Sequence, residues 1–252
     1  MSPVSHPGSA GGAWFPLATP RAAATARLLC LPCAGGGASS FRDWQAQLPR
    51  CEVLAAQLPG REHRVRETPY RELQPLVDAL HAALRALPPG PPLVLFGHSL
   101  GALIAFALAR DLVAAGTPPR HLVAAGARAP QRPPSRLLWD LPLPALLDEV
   151  VRMGGTSPRV LAEPELLALL EPPLRADLWL AEHHVLAAEP RLPVPITALG
   201  GSEDVHVAAA HVEAWRDVAG AGCDVAFVRG GHFFVRDARD EVLARLDAVL
   251  PR

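Results

Sequence analysis

Short apolar runs recur along the chain at residues 28–31, 53–57, 93–96, 121–125, 194–199 and 224–228, and they alternate with longer segments of helical period. Runs this short suit strands buried on both faces, and the stretches between them suit crossover helices. The pattern therefore predicts an α/β fold with a mostly parallel central sheet flanked by helices. The clearest helix spans residues 69–87, where Leu73, Leu76, Val77, Leu80, Leu84 and Leu87 return every three or four positions. Thr68 is placed to cap it and Pro69 falls in its first turn. Residues 100–115, rich in Ala and Leu, form a second helix entered directly from strand 93–96, and Leu243, Leu246 and Leu250 mark a closing amphipathic helix from about residue 239.

Two segments break this rhythm. Residues 1–25 are rich in Gly, Ala, Ser and Pro without a period and read as a loose N-terminal arm. Between 128 and 190, Pro130, Pro133, Pro134, Pro142 and Pro144 precede short helical pieces rather than strands, so this region reads as a helical lid inserted over the sheet. The chain is thus expected to be an arm, 1–25, and a single domain, 26–252, that includes the insertion. Apolar positions in the insertion, Leu141, Leu143, Leu146, Leu147 and Val150, then Leu161, Leu166, Leu167, Leu169 and Leu170, must be buried somewhere, and a share of them are candidates to line an acyl channel.

Composition narrows the class. With 252 residues the chain can bury a sizeable core. Its 24 Lys and Arg balance 25 Asp and Glu, a formal net charge of -1, which offers no general surface for nucleic acid or for an anionic membrane. Any acidic partner must be met locally, and Arg128, Arg132 and Arg136 beside the insertion are the candidate patch. The four cysteines, Cys30, Cys33, Cys51 and Cys223, are too scattered for a disulfide framework, and Cys30 and Cys33 lack the second pair that a thiolate metal site needs. The first residues carry no basic cluster followed by an apolar run, and the longest apolar stretch, 102–109, is far short of a membrane span. A cytoplasmic, monomeric protein is expected.

Chemistry enters at Gly97-His98-Ser99-Leu100-Gly101, a G-x-S-x-G motif placed where strand gives way to helix. Flanking glycines permit the sharp turn that lifts a serine hydroxyl above the sheet edge, and the following helix offers unpaired amides to developing negative charge. Ser99 is the candidate nucleophile. Of the ten histidines, His232 lies in the loop between the last strand and the last helix, where such a fold delivers its general base. His98 more simply shapes the turn, and His183, His184, His206 and His211 fall in helical stretches. The acid should follow a strand between the serine and the histidine; Gly200-Gly201-Ser202-Glu203-Asp204 supplies it, with Asp204 the candidate and Glu203 its local rival. Leu31-Pro32-Cys33-Ala34-Gly35-Gly36-Gly37 is the loop after the first strand, so the backbone amides of Ala34 and Leu100 are the expected oxyanion donors. The glycine run lacks the Gly-Lys-Ser/Thr ending of a phosphate loop. Together these residues specify acyl transfer through a covalent serine intermediate, with no cofactor and no metal, but they leave the leaving group open.

Beyond this chemistry, the segments Pro32-Cys33-Ala34-Gly35-Gly36-Gly37-Ala38-Ser39-Ser40-Phe41-Arg42-Asp43-Trp44, Gln57-Leu58-Pro59-Gly60-Arg61-Glu62, Leu174-Arg175-Ala176-Asp177 and Gly231-His232-Phe233-Phe234 occur in order with the serine motif. In these the chain resembles the type II thioesterases that accompany modular polyketide synthases and nonribosomal peptide synthetases. The resemblance implies an α/β-hydrolase fold, a Ser99, Asp204, His232 triad, a mobile lid over 128–190, and acyl thioesters on the phosphopantetheine arm of acyl or peptidyl carrier proteins as substrates. The implied task is editing, the removal of stalled or wrongly primed acyl groups. One position departs from the family, which commonly has histidine where this chain has Cys33; the backbone donor of Ala34 is unaffected by that exchange. Rival functions that keep most of these residues are a small-molecule carboxylesterase with the same triad, a carrier-binding protein without activity, and an excised terminal thioesterase that cyclises chains.

Overall fold

Six strands, β1 (Ala26–Leu31), β2 (Cys51–Ala55), β3 (Leu93–His98), β4 (His121–Ala125), β5 (Ile196–Gly201) and β6 (Cys223–Val228), form one sheet in the order β2-β1-β3-β4-β5-β6 with every neighbouring pair parallel. The computed structural model describes residues 10–155 and 163–251. Its helices are α1 (Ala10–Trp14), α2 (Trp44–Gln47), α3 (Leu73–Arg85), α4 (Leu100–Ala114), α5 (Leu143–Met153), α6 (Pro164–His183), α7 (Ala209–Glu213), α8 (Phe234–Asp237) and α9 (Arg239–Val249). This is the α/β architecture that the alternation of apolar runs and helical segments predicts, in the arrangement of an α/β hydrolase.

Both faces of the sheet are covered, and the strand pleat sorts residues between two cores. Leu29 and Leu31 of β1 join Leu95, Ile104, Phe106 and the apolar stripe of α3 on one face. Leu28 and Cys30 join Phe41, Trp44, Phe96, Phe234, Val242 and Leu246 on the other. Helix α4 is enclosed on nearly every side, which explains its almost continuous Ala and Leu composition. Among the described residues, no helix is long and apolar enough to cross a membrane.

The strand order reverses between β1 and β3, since the chain runs outward from β1 to β2 and then returns to the other side. In open parallel sheets the crevice beyond the carboxyl ends at such a reversal is where ligands bind. The loops that leave β1 and β3 there are the glycine loop and the Ser99 turn.

Three expectations are corrected. The helix predicted from residue 69 begins at Leu73, without a side-chain cap from its N-cap residue Glu72. Pro75 gives the reason: three residues into the helix its missing N–H costs nothing, whereas a start at 69 would put it in the interior and remove a hydrogen bond. Part of the presumed arm is built into the fold, because Trp14 and Phe15 are buried, the Trp14 carbonyl accepts from the Gln57 amide at 2.8 Å, and Arg64 lies over the Trp14 ring. The insertion also holds more than short pieces. Helix α6 runs for 20 residues through Pro172 and Pro173; Leu161 lies outside the described residues.

Candidate active site

Ser99 sits between β3 and α4 with φ 55° and ψ -116°, a backbone conformation that L residues adopt only under constraint. The constraint is backbone packing on both sides. A methyl group on Gly97 would lie 2.2 Å from the Gly101 carbonyl oxygen, and one on Gly101 would lie 2.1 Å from the carbonyl oxygen of Leu31. Gly97 is therefore demanded by the close approach of β3 to α4, and Gly101 by that of α4 to β1. The Ser99 amide donates to the Ala125 carbonyl of β4 at 2.8 Å, which fixes the turn to the sheet.

The structure brings the three sequence-predicted side chains into one hydrogen-bonded chain. Ser99 Oγ lies 3.1 Å from His232 Nε2, and His232 Nδ1 lies 2.8 Å from Asp204 Oδ2. Asp204 follows β5, and its other oxygen accepts from the amides of His206 at 2.8 Å and Val207 at 3.1 Å. Burial pushes the Asp204 carboxyl up, but the His232 hydrogen bond and charge together with these amides hold it below the ordinary carboxylate range. With the carboxylate ionised, Nδ1 of His232 carries a proton and Nε2 is free to accept one from the serine hydroxyl. Glu203, the local rival, is exposed and lies only at 4.0 Å from Arg229.

Ala34 and Leu100, whose amides are the expected oxyanion donors, line one cavity together with Ser99 and His232. Neither amide has an acceptor among the described residues. Cys33, Ala34, Gly35 and Gly36 form a turn closed by the Gly36 amide on the Cys33 carbonyl at 2.9 Å, with Gly35 at φ 72°. A positive φ at the third position is the signature of a type II turn and needs glycine there.

Above the site, a cavity of about 800 Å³ runs under α5 and α6. Leu143, Leu146, Leu147 and Val150 of α5 and Leu167 and Leu170 of α6 line it, whereas Leu166 and Leu169 are exposed on the outer surface. Charged residues such as Arg128, Glu149, Arg236 and Arg239 share the lining, and the leucine-rich section beneath the two helices is the part that suits an acyl chain. The arginines of the candidate patch are paired within the chain, although Arg132 and Arg136 stay more than half exposed. Arg128 is part-buried and donates to the carbonyls of Arg132, Ala181 and His184; Arg132 pairs with Asp217, and Arg136 with the buried Glu149.

His206, which the sequence assigned to a helical stretch, lies instead in the loop after Asp204, with its ring 6.1 Å from that of His232. Its Nε2 is buried without a hydrogen-bond partner among the described residues. Sequence reasoning from residue chemistry also missed the polar framework under the glycine loop. Gln57 Oε1 accepts the Ala38 amide at 3.0 Å, and Glu62 Oε1 accepts the Ser39 hydroxyl at 2.6 Å. Asp177, one of the few charged residues on the inner face of α6, pairs with Arg61. The available signal was the presence of such polar residues inside otherwise apolar surroundings.

A thioesterase domain model matches residues 26–250. The chain belongs to the thioesterase family. Within it, the thioesterase falls with the type II enzymes of α/β-hydrolase fold. It is 36% identical to the gramicidin S biosynthesis protein GrsT of Aneurinibacillus migulanus, over 91% of each chain. Among solved structures, the thioesterase RedJ from the prodiginine biosynthetic pathway of Streptomyces coelicolor superposes with a TM-score of 0.85 at 37% identity, covering 95% of this chain and 99% of that one. The type II thioesterase YbtT from the yersiniabactin pathway gives a TM-score of 0.85 at 32% identity, over 93% and 96% of the two chains. Among the described residues, no group of three or more His, Cys, Asp or Glu is arranged to hold a metal, and the four cysteines are free thiols.

Proposed function

We propose that this thioesterase hydrolyses acyl and peptidyl thioesters from the phosphopantetheine arm of carrier proteins, editing polyketide and nonribosomal peptide assembly lines, with Ser99 as nucleophile. The observation that carries the chemistry is the unbroken chain from Ser99 Oγ through His232 to Asp204 beneath a cavity with a leucine-rich section. The substrate class is supported by relatives whose names place them in gramicidin S, prodiginine and yersiniabactin biosynthesis.

Ser99 Oγ attacks the thioester carbonyl carbon as its proton passes to His232 Nε2. The Ala34 and Leu100 amides receive the oxyanion. The C–S bond then breaks, the His232 proton goes to the departing pantetheine sulfur, and an acyl ester remains on Ser99. Water, deprotonated by His232, cleaves that ester and releases the acid. Because a thiol leaves readily, acyl groups of many kinds are cleared without tight recognition, which is what editing requires.

The deciding experiment compares acetyl, propionyl, malonyl and longer acyl groups on a carrier protein, on a short pantetheine thiol and as oxygen esters. Preference for the carrier thioesters, abolished in Ser99→Ala, is expected. Equal or faster cleavage of the oxygen esters would instead make the protein a general esterase.

A further inference from the structure

The buried Arg61–Asp177 pair joins the lid to the oxyanion loop. Arg61 follows β2 in the Pro-Gly-Arg-Glu segment, and Asp177 projects from α6, so the two residues belong to elements 116 positions apart. Both are buried, at 4% and 1% exposure. The pairing is bidentate: Nη1 meets Asp177 Oδ2, and Nη2 meets Oδ1 at 3.0 Å. The remaining guanidinium donors reach the Pro59 carbonyl at 3.1 and 3.0 Å and the Gly36 carbonyl at 3.4 Å, so all five N–H groups are directed at acceptors. A charge this thoroughly held has one well-defined position.

Asp177 Oδ2 also accepts the Gly35 amide at 2.8 Å. That amide belongs to the central peptide of the Cys33–Gly36 turn, and the orientation of this peptide is what separates a type II turn from type I. Ala34 lies between this peptide and the one that carries its own N–H, so anchoring Gly35 restrains the direction of the expected oxyanion donor. The lid meets this loop and the Arg61 segment through apolar contact. A methyl group on Gly35 would lie 3.3 Å from Leu174 Cδ1, and one on Gly60 would lie 3.3 Å from Pro173 Cβ. Leu174 and Asp177 thus rest on the glycine loop, and Pro173 beside them rests on Gly60 of the Pro-Gly-Arg-Glu segment.

We propose that Asp177, clamped by Arg61, is a positioning residue for the oxyanion hole, so that the hole has its working geometry only while lid helix α6 is seated. This rests on the hydrolytic reading above. Substrate loading under the lid and assembly of the catalytic geometry then become one event: with α6 lifted, the Gly35 peptide loses its acceptor and Ser99 keeps only the Leu100 amide as a preset oxyanion donor.

The test uses the full chain and an acyl pantetheine thioester. Wild type and Ser99→Ala first establish hydrolysis; without turnover in the wild type it is the parent reading that fails. Asp177→Asn and Arg61→Lys keep size and polarity but loosen the fork, and each is expected to lower kcat by about tenfold or more with KM within about threefold, approaching the about 10²–10³ lost when a donor is removed outright. Binding of an alkyl boronic acid, whose tetrahedral Ser99 adduct uses the hole, should weaken in parallel with kcat. Because breaking one half of a buried pair also strains folding, Arg61→Met/Asp177→Leu is included, since apolar replacement of both partners commonly restores stability. A recovered Tm with a kcat still low supports positioning. Recovery of kcat along with Tm, wild-type kcat in either conservative variant, or a loss confined to KM would overturn it.

Discussion

The ring Nε2 of His98 donates to the main-chain carbonyl of His232 at 2.9 Å. The residue beside Ser99 therefore holds down the loop that carries the proposed base, and the two halves of the site are fastened together by a group that takes no part in the chemistry. That carbonyl needs a donor, so His98 must keep its Nε2 proton.

His98 makes the fold acid-sensitive. Burial first, then the neighbouring His232, pushes its imidazole down to about 3. In the unfolded chain it titrates at about 6.5, so between those values the unfolded state binds the extra proton and stability rises with pH. The contribution is present above pH 6.5 and lost as pH falls towards 3, on the order of 5 kcal/mol in full. His121 and His206, both lowered mainly by burial, act with the same sign, while Asp204 adds its share only below about pH 4. Denaturant unfolding at pH 7.5, 6 and 5 should show a shallower slope in His98→Gln than in wild type; identical slopes would show that His98 is not the main sensor.

Asp204→Asn should lower kcat by about 10³–10⁴ with little change in KM or Tm. The new amide keeps Oδ1 for the His206 and Val207 amides but presents an N–H to His232 Nδ1, which selects the tautomer that cannot accept from Ser99. Glu203→Gln, at an exposed position beside it, should stay within about twofold of wild type. Single-turnover acylation measured for both variants separates the two acids, and a large loss in Glu203→Gln would reassign the role.

The parallel sheet, the Ser99 turn and the loops that bring Asp204 and His232 to it were legible in the sequence, because each is written locally. Apolar runs declare buried strands, Gly97 and Gly101 declare a close approach, and the ends of β5 and β6 declare the loops of Asp204 and His232. What was not legible depends on partners distant in the chain. Nothing near Asp177 shows that it meets Arg61, and nothing near Trp14 shows that the Gln57 amide donates to its carbonyl. The helix starts at Leu73 although Thr68 and Pro69 carry the marks of an earlier start, and Pro75 is the local signal that decides between them.

Cys33 stands where the family commonly has histidine, yet its thiol is held neutral. Burial first, then the charge of Asp177, pushes it up to about 11. At pH 8 the thiolate is therefore about a hundredfold scarcer than for an ordinary exposed cysteine, and alkylation should slow accordingly. Peptide mapping after a timed iodoacetamide pulse, native against denatured, reads this directly. Since the proposed donor is the Ala34 amide, Cys33→Ala should retain kcat within about threefold; a loss of a hundredfold would give the side chain a direct part in the reaction.

The cavity under α5 and α6 sets the last expectation, which concerns chain length. If the acyl group lies against Leu147 and Leu170, each added methylene transfers to an apolar wall at about 0.8 kcal/mol, or roughly fourfold in kcat/KM, until the space is filled. Leu147→Trp or Leu170→Trp shortens that space without touching Ser99, His232 or Asp204. Octanoyl thioesters should then lose tenfold or more in kcat/KM while acetyl thioesters stay near wild type, and Leu170→Ala should tilt the ratio the other way. Equal losses for both chain lengths would show that the acyl group does not occupy this cavity, since a wall that is never touched cannot distinguish a short chain from a long one.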